Sequence, residues 1–267
     1  MQVDGHNRVV PELPDVEGYR RELAQRLPGR RVRHVHVEDA GVLRNATAQS
    51  FAQRLADRRF DTPGRHGKWL LLPTDGPTLI VHSGMTGRPF WTSASVETQP
   101  YLRVRIELDE GELRYTDLRK LRGLWVADTR EDESAIVGRS GPDALDLGLA
   151  QFTAALSTKR RLKTALTDQA VLAGLGNLLS DEVCWQARIH PMRPCPQLSQ
   201  HDITTLHATT RRVLRTSVRH HEVPHLRGWL TRVRGDRDAA CPRCGTPLMR
   251  TRNAGRTAVW CPHCQPR

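Results

Sequence analysis

Cys241-Pro-Arg-Cys244-Gly-Thr-Pro-Leu-Met-Arg-Thr-Arg-Asn-Ala-Gly-Arg-Thr-Ala-Val-Trp-Cys261-Pro-His-Cys264 nearly closes the chain, with two Cys-x-x-Cys pairs sixteen residues apart. This spacing fits two zinc knuckles joined by a β-hairpin. Each knuckle turns tightly enough to aim two thiolates at one ion, and the second pair completes the tetrahedron. Cys241, Cys244, Cys261 and Cys264 are therefore the expected ligands of one Zn2+. Four sulfurs leave no open position for water, which makes the ion structural rather than catalytic. The rival reading, two disulfides, suits an exported chain, and no charged head with an apolar run opens this one. Cys184 and Cys195 fall outside the pattern and read as ordinary thiols. His263 sits inside a knuckle whose shell the thiolates already fill.

Upstream of the knuckles the apolar period is helical. Leu156, Leu162, Ala165 and Leu166 form one face; Leu178, Leu179, Val183 and Trp185 form another; Leu206, Val213 and Leu214 belong to a third helix. Gly174-Leu175-Gly176-Asn177 predicts a tight turn into a helix N-terminus, whose free N–H groups suit a phosphate. Arg211, Arg212, Arg215, Arg219, Arg227, Arg232, Arg234 and Arg237 crowd a stretch whose only acids are Glu222 and Asp236. Further upstream the period becomes two. Leu102, Val104, Ile106 and Leu108 alternate with Arg103, Arg105 and Glu107, and short apolar runs lie at 70–72 and 79–81. A helix with Val16, Tyr19, Leu23 and Leu27 on one face precedes these strands and stops at Pro28-Gly29. The chain thus reads as α+β: an N-terminal pair of antiparallel sheets, a linker near Gly138, Gly141 and Pro142, a helical domain and a zinc hairpin.

The 267 residues carry 41 Lys plus Arg against 29 Asp plus Glu, a formal charge of +12. With 38% hydrophobic and 26% charged residues the composition excludes a disordered chain. No apolar run approaches the roughly 18 residues of a membrane helix. An arginine-rich excess points to a polyanion, because each neutralised phosphate releases condensed counterions. A basic surface kept for solubility is the plainer reading. These features support a DNA or RNA clamp and identify no reaction.

The order of the motifs narrows this. Pro11-Glu12-Leu13-Pro14-Asp15-Val16-Glu17 resembles the N-terminus of the formamidopyrimidine-DNA glycosylase / endonuclease VIII family. His66-Gly67-Lys68-Trp69-Leu70-Leu71-Leu72, His82-Ser83-Gly84-Met85-Thr86-Gly87, Gly174 through Glu182 and Ala187-Arg188-Ile189-His190-Pro191 follow in the family's order. The cysteine hairpin, with Asn253-Ala254-Gly255-Arg256-Thr257 inside it, completes the series. The resemblance spans nearly everything from residue 11 onward. It implies a β-sandwich catalytic domain over 11–135, a linker over 136–150, a helix-two-turns-helix DNA-binding domain over 151–235 and a zinc-finger hairpin over 236–267.

The resemblance also implies a base-excision repair enzyme, a DNA glycosylase with AP lyase activity. Such enzymes flip an oxidised base out of the duplex, excise it through a proline iminium, and cut the strand by β- or β,δ-elimination. Pro11 is then the nucleophile, since an N-terminal secondary amine stays partly neutral near pH 7. Glu12 is the general acid/base beside it. Lys68 contacts phosphate and assists elimination, Met85 fills the gap left by the flipped nucleotide, and Asn177 holds the phosphate beside the lesion. Arg256, at the hairpin tip, holds a neighbouring phosphate and helps the second elimination. The implied partner is damaged double-stranded DNA, with no membrane, no nucleotide cofactor, a monomeric state and a bacterial, cytoplasmic, nucleoid-associated location. In isolation each residue has a duller reading as a helix entry, a surface charge or a turn residue.

Three departures bear on function. Ten residues precede Pro11, and an acylated proline nitrogen has no nucleophilic lone pair. Either the start is misassigned, with the valine codon of Val10 initiating and the initiator then removed, or residues 1–10 are a real extension. In the latter case the chain is processed, uses another amine such as Lys68, or is a catalytically silent lesion-binding protein. Second, Asp117-Leu118-Arg119-Lys120-Leu121-Arg122-Gly123 resembles an intercalation loop in which Leu121 stands for the usual wedge phenylalanine. Arg119 and Lys120 are the adjoining DNA contacts, with Lys120 the residue expected to read the orphan base. Third, the stretch between Val218 and Cys241 is short and arginine-rich where oxidised-purine enzymes carry a longer glycine-rich cap, and this puts 8-oxoguanine selectivity in doubt. A zinc-ribbon regulator of specific sequences is the remaining reading.

Overall fold

The alternation at Leu102–Leu108 forms strand β6, with Val104, Ile106 and Leu108 buried and Arg103, Arg105 and Glu107 on the more open side. The structure is a computed structural model that describes residues 10–93, 99–138 and 140–267, the side chain of Asn253 excepted. Of the expected extension over 1–10, only Val10 is among them. The chain divides into two units: one comprises Met1–Pro11 and Val16–Gly138, the other Glu12–Asp15 and Arg139–Arg267.

In the first unit the helix α1 (Leu13–Ala24) precedes β1 (Val32–Val37) and the short α2 (Ala48–Leu55). The strands β2 (Gly64–His66), β3 (Trp69–Pro73), β4 (Thr78–His82), β5 (Arg88–Thr92), β6, β7 (Glu112–Thr116) and β8 (Gly123–Ala127) follow, and α3 (Arg130–Val137) closes the unit. They pair as two four-stranded antiparallel sheets, in the orders β1-β6-β7-β5 and β2-β3-β4-β8. Inward residues of both sheets, among them Leu70, Leu72, Val81, Val104, Ile106, Leu113 and Val126, share one core with Leu23, Leu27 and Phe51. Helix α1 ends three residues earlier than its apolar face suggests. Leu27 still packs inward, and the chain reverses at Gly29, whose φ of +79° glycine adopts without strain.

The second unit contains α4 (Leu149–Leu156), α5 (Leu162–Thr167), α6 (Asn177–Gln186) and the long α7 (Gln200–His220) around a core of Leu, Val and Phe152. Ser199 and Asp202 cap α7 reciprocally, and His221 ends it at φ +58°. Cys184 and Cys195 are buried thiols in this core. The hairpin β9 (Met249–Asn253) and β10 (Arg256–Trp260) turns through Ala254 and Gly255, both at positive φ as a two-residue I′ turn requires. No helix among the described residues is long and apolar enough to cross a membrane.

Candidate active site and metal centre

Glu12 is 2% exposed, and its carboxylate is held by backbone N–H groups. Gly176 donates at 2.6 Å, Leu178 at 2.8 Å and Leu179 at 3.3 Å. The turn into α6 was expected to offer these donors to a phosphate; they are taken instead by the protein's own carboxylate. Three of the four amides that a helix start leaves orphaned are thereby near or on Glu12. The glycines permit the approach. A Cβ on Gly176 would sit 2.3 Å from Glu12 Cδ, and one on Gly174 would sit 2.3 Å from Leu13 Cδ1. Leu13 N–H also donates to Gly174 O at 3.1 Å. Among the described residues Oε1 of Glu12 accepts only from Leu178, which leaves a lone pair for proton transfer. Asp15 accepts the Glu12 N–H at 2.9 Å, and burial, with the charge of Glu12 adding to it, pushes its carboxyl up to about 7.

Asn177 opens α6, and its Oδ1 is buried without a hydrogen-bond partner. An orphaned amide at a helix start is a group that a ligand would satisfy. Arg256 begins β10 beside the hairpin turn, exposed, with Nη1 3.3 Å from Thr167 Oγ1. Beneath these two lies a cluster that sequence reading missed. Asp181, fully buried, accepts from Lys163 Nζ at 2.5 Å, Arg234 Nε at 2.7 Å and Val259 N at 3.3 Å. Lys163 and Arg234 both donate in turn to Thr257 O, at 2.6 and 3.0 Å. Asp181 lies one helical turn beyond Asn177, and Thr257 follows Arg256, so the buried charges fasten the two candidate phosphate contacts into one piece. Arg234, grouped above with the clamp arginines, is consumed in this cluster.

The loop from Asp117 to Gly123 is set from below. Buried Asp117 accepts from Thr86 Oγ1 at 2.5 Å and from the backbone N–H groups of Arg119 and Lys120, both at 3.1 Å. The Arg44 guanidinium donates to the carbonyls of Lys120 and Arg122. Lys120 adopts φ +50°, and its Nζ pairs with Asp39 at 2.8 Å. This frame turns Leu121 outward, 52% exposed, the most open large apolar side chain among the described residues. A leucine fixed in solvent on a hydrogen-bonded turn suits a wedge. Arg119 Nη1 lies 2.9 Å from the sulfur of Met85, which occupies the turn after β4. His82 anchors that turn. Burial and the cations of Arg122 and Lys68 hold its imidazole down to about 4, and neutral Nδ1 accepts the Gly84 N–H at 3.0 Å. Lys68 sits in the two-residue turn between β2 and β3, behind Gly67 at φ +57°. Pro11 is buried, and exposed Val10 acylates its nitrogen.

The four expected zinc ligands converge, their sulfurs all within 4.8 Å of one another. Cys241 and Cys264 are 4.0 Å apart, and Cys244 lies 3.5 Å from both Cys261 and Cys264. A tetrahedron with Zn–S bonds of about 2.3 Å has edges of about 3.8 Å, so the donors fit one structural Zn2+. None of these pairs sits at the roughly 2.05 Å of a disulfide bond, so the arrangement favours the metal over the bridges. Trp185 Nε1 points at Cys241 Sγ from 3.4 Å, and Arg243 stacks 4.2 Å from the Trp185 ring, which orients the site from its second layer.

Three family models match in the order of the motifs: the formamidopyrimidine-DNA glycosylase N-terminal domain over residues 10–124, its H2TH domain over 140–224, and a zinc finger found in FPG and IleRS over 240–267. The formamidopyrimidine-DNA glycosylase of Herpetosiphon aurantiacus is 35% identical, covering 96% of this chain and 100% of its own. That of Salinispora arenicola is 36% identical over 97% of each. Among solved structures, Lactococcus lactis Fpg bound to N7-benzyl-Fapy-dG DNA superposes with a TM-score of 0.85 at 25% identity, over 96% of this chain and all of that one. The same protein with abasic-site DNA gives the same figures. The chain belongs to the formamidopyrimidine-DNA glycosylase family.

Proposed function

We propose that this protein is a base-excision repair DNA glycosylase with AP lyase activity, acting as a monomer on damaged duplex DNA at the bacterial nucleoid. One observation carries the reading: Glu12, the covalent neighbour of Pro11, is buried with its carboxylate fixed by backbone amides at the start of α6. A proton-transfer group is thus preset one residue from the candidate nucleophile, where positioning counts for most. The match of the family model begins at residue 10, which supports a functional chain that opens at Pro11.

With Pro11 first, its secondary amine attacks C1′ of the flipped nucleotide, and the C1′–N bond breaks as the base leaves with a proton. The amine loses its own proton, and its lone pair then expels O4′, which takes a proton as the sugar ring opens, so that C1′ and nitrogen form an iminium. Loss of a C2′ proton then expels the 3′ phosphate by β-elimination, and hydrolysis of the iminium frees the enzyme. Glu12 moves the protons. Lys68, Asn177 and Arg256 bind flanking phosphates, and Arg256 assists the second elimination. Met85 and Leu121 fill the gap in the stack, with Arg119 and Lys120 beside the orphan base.

Borohydride trapping on abasic-site DNA tests this. A chain starting at Pro11 should give a covalent adduct that maps to Pro11, and a chain retaining residues 1–10 should give none. Tight lesion binding by the Pro11 chain without an adduct would contradict the proposal.

A further inference from the structure

One strongly charged surface takes no part in the site above. On α7, Arg211, Arg212, Arg215 and Arg219 are all exposed and, with Ala208 and Thr216, line one shallow groove. At about 100° per residue their directions fall within roughly 100° of arc, along about 12 Å of helix. None of the four has a carboxylate partner among the described residues; the one side-chain contact is Arg212 to Gln186 Oε1, at 3.2 Å. The helix carries a single acid, Asp202, in its first turn. Cations in a last helical turn interact favourably with the helix dipole, which accounts for Arg219 and not for Arg211 or Arg212. Arg211–Arg215 and Arg215–Arg219 are like-charge pairs one turn apart, an arrangement that weakens a helix. The groove is thus suited to an external anion. Its guanidinium forks suit phosphodiester oxygens, and its length spans several phosphates of a strand.

Its place in the second unit separates it from the lesion grip. Arg212 reaches Gln186, the last residue of α6, whereas Asn177 is the first; nine residues of rise, about 13 Å, lie between them. We propose that the Arg211–Arg219 face of α7 binds the backbone of a second segment of duplex DNA while the first is held at Asn177 and Arg256. The protein then passes directly from one segment to another during its search. This rests on the reading that DNA is the partner, and adds a second DNA site to it.

The test follows dissociation of the chain that begins at Pro11 from a short fluorescent duplex carrying an uncleavable abasic analogue, as undamaged unlabelled duplex is added. Direct transfer makes the wild-type dissociation rate rise several-fold with competitor concentration. The triple variant R211Q/R215Q/R219Q should dissociate at a constant rate, and R211K/R215K/R219K should keep the rise. A wild-type rate independent of competitor, or a glutamine variant that still responds to it, overturns the inference. An acidic protein as the true occupant would give the first of these results. Incision of an abasic duplex by the same preparations keeps the two proposals apart: failure of the transfer test alone leaves the repair reading standing.

Discussion

The helix start at Asn177 and the loop at Leu121 are both candidate DNA contacts, and they are built in opposite ways. Behind Asn177 lie Glu12 and Asp181, nearly or wholly buried, each satisfied by several donors. Around Leu121 the frame is a surface turn, held by one buried aspartate and by Arg44 on its carbonyls, with the apolar side chain in water. The candidate phosphate contacts are thus presented by desolvated charges that cannot move without unfolding something. The candidate wedge is presented by a turn whose side chain adds little to the fold. Substitutions on the two sides should therefore separate stability from activity.

The largest effect is expected at the metal. Zinc-thiolate sites contribute on the order of 10 kcal/mol to the folding of small zinc units, so Cys244→Ala should abolish zinc in elemental analysis and tight DNA binding together. Retention of one zinc per chain would break the assignment. Next comes Asp181→Asn, which leaves buried Lys163 and half-buried Arg234 without their counter-charge. Denaturant unfolding should show a loss of about 3–5 kcal/mol. A loss under 1 kcal/mol would mean that the cluster does not bind the two contacts together.

Leu121→Ala should change stability by no more than about 0.5 kcal/mol, as for other exposed sites, while slowing single-turnover excision. Equal excision rates would remove Leu121 from the wedge role. The last effect is read through pH. Asp15 keeps its proton up to about 7 in the fold and releases it near 3.8 in the unfolded chain. Its contribution to stability is then full below about pH 4 and is lost as pH rises through about 7. Asp15→Asn should flatten that decline without removing it, since burial also pushes Glu182 up to about 7. An unchanged slope between pH 4 and 8 would contradict the buried-acid assignment.

What could be read in the sequence follows from range. The zinc ligands and β6 are legible because spacing and a period of two are local signals. The motifs carrying Pro11, Lys68, Asn177 and Arg256 are legible as a collinear series. The occupant of the Gly174–Gly176 turn was not, because Glu12 lies 164 residues from Gly176 in sequence. The same holds for Lys163 and Thr257, 94 residues apart. Composition likewise could not separate Arg234, half-buried on Asp181, from Arg211, Arg215 and Arg219, which face solvent in the same basic stretch. Pairing partners are a property of the fold, and charge counts average over them.

Intact-mass analysis with N-terminal sequencing of the natural protein, on material assayed for lesion incision, tests the central claim most directly. The account predicts a mature chain whose first residue is Pro11 with a free imino nitrogen. Fully active natural protein that still begins at Met1 would contradict it.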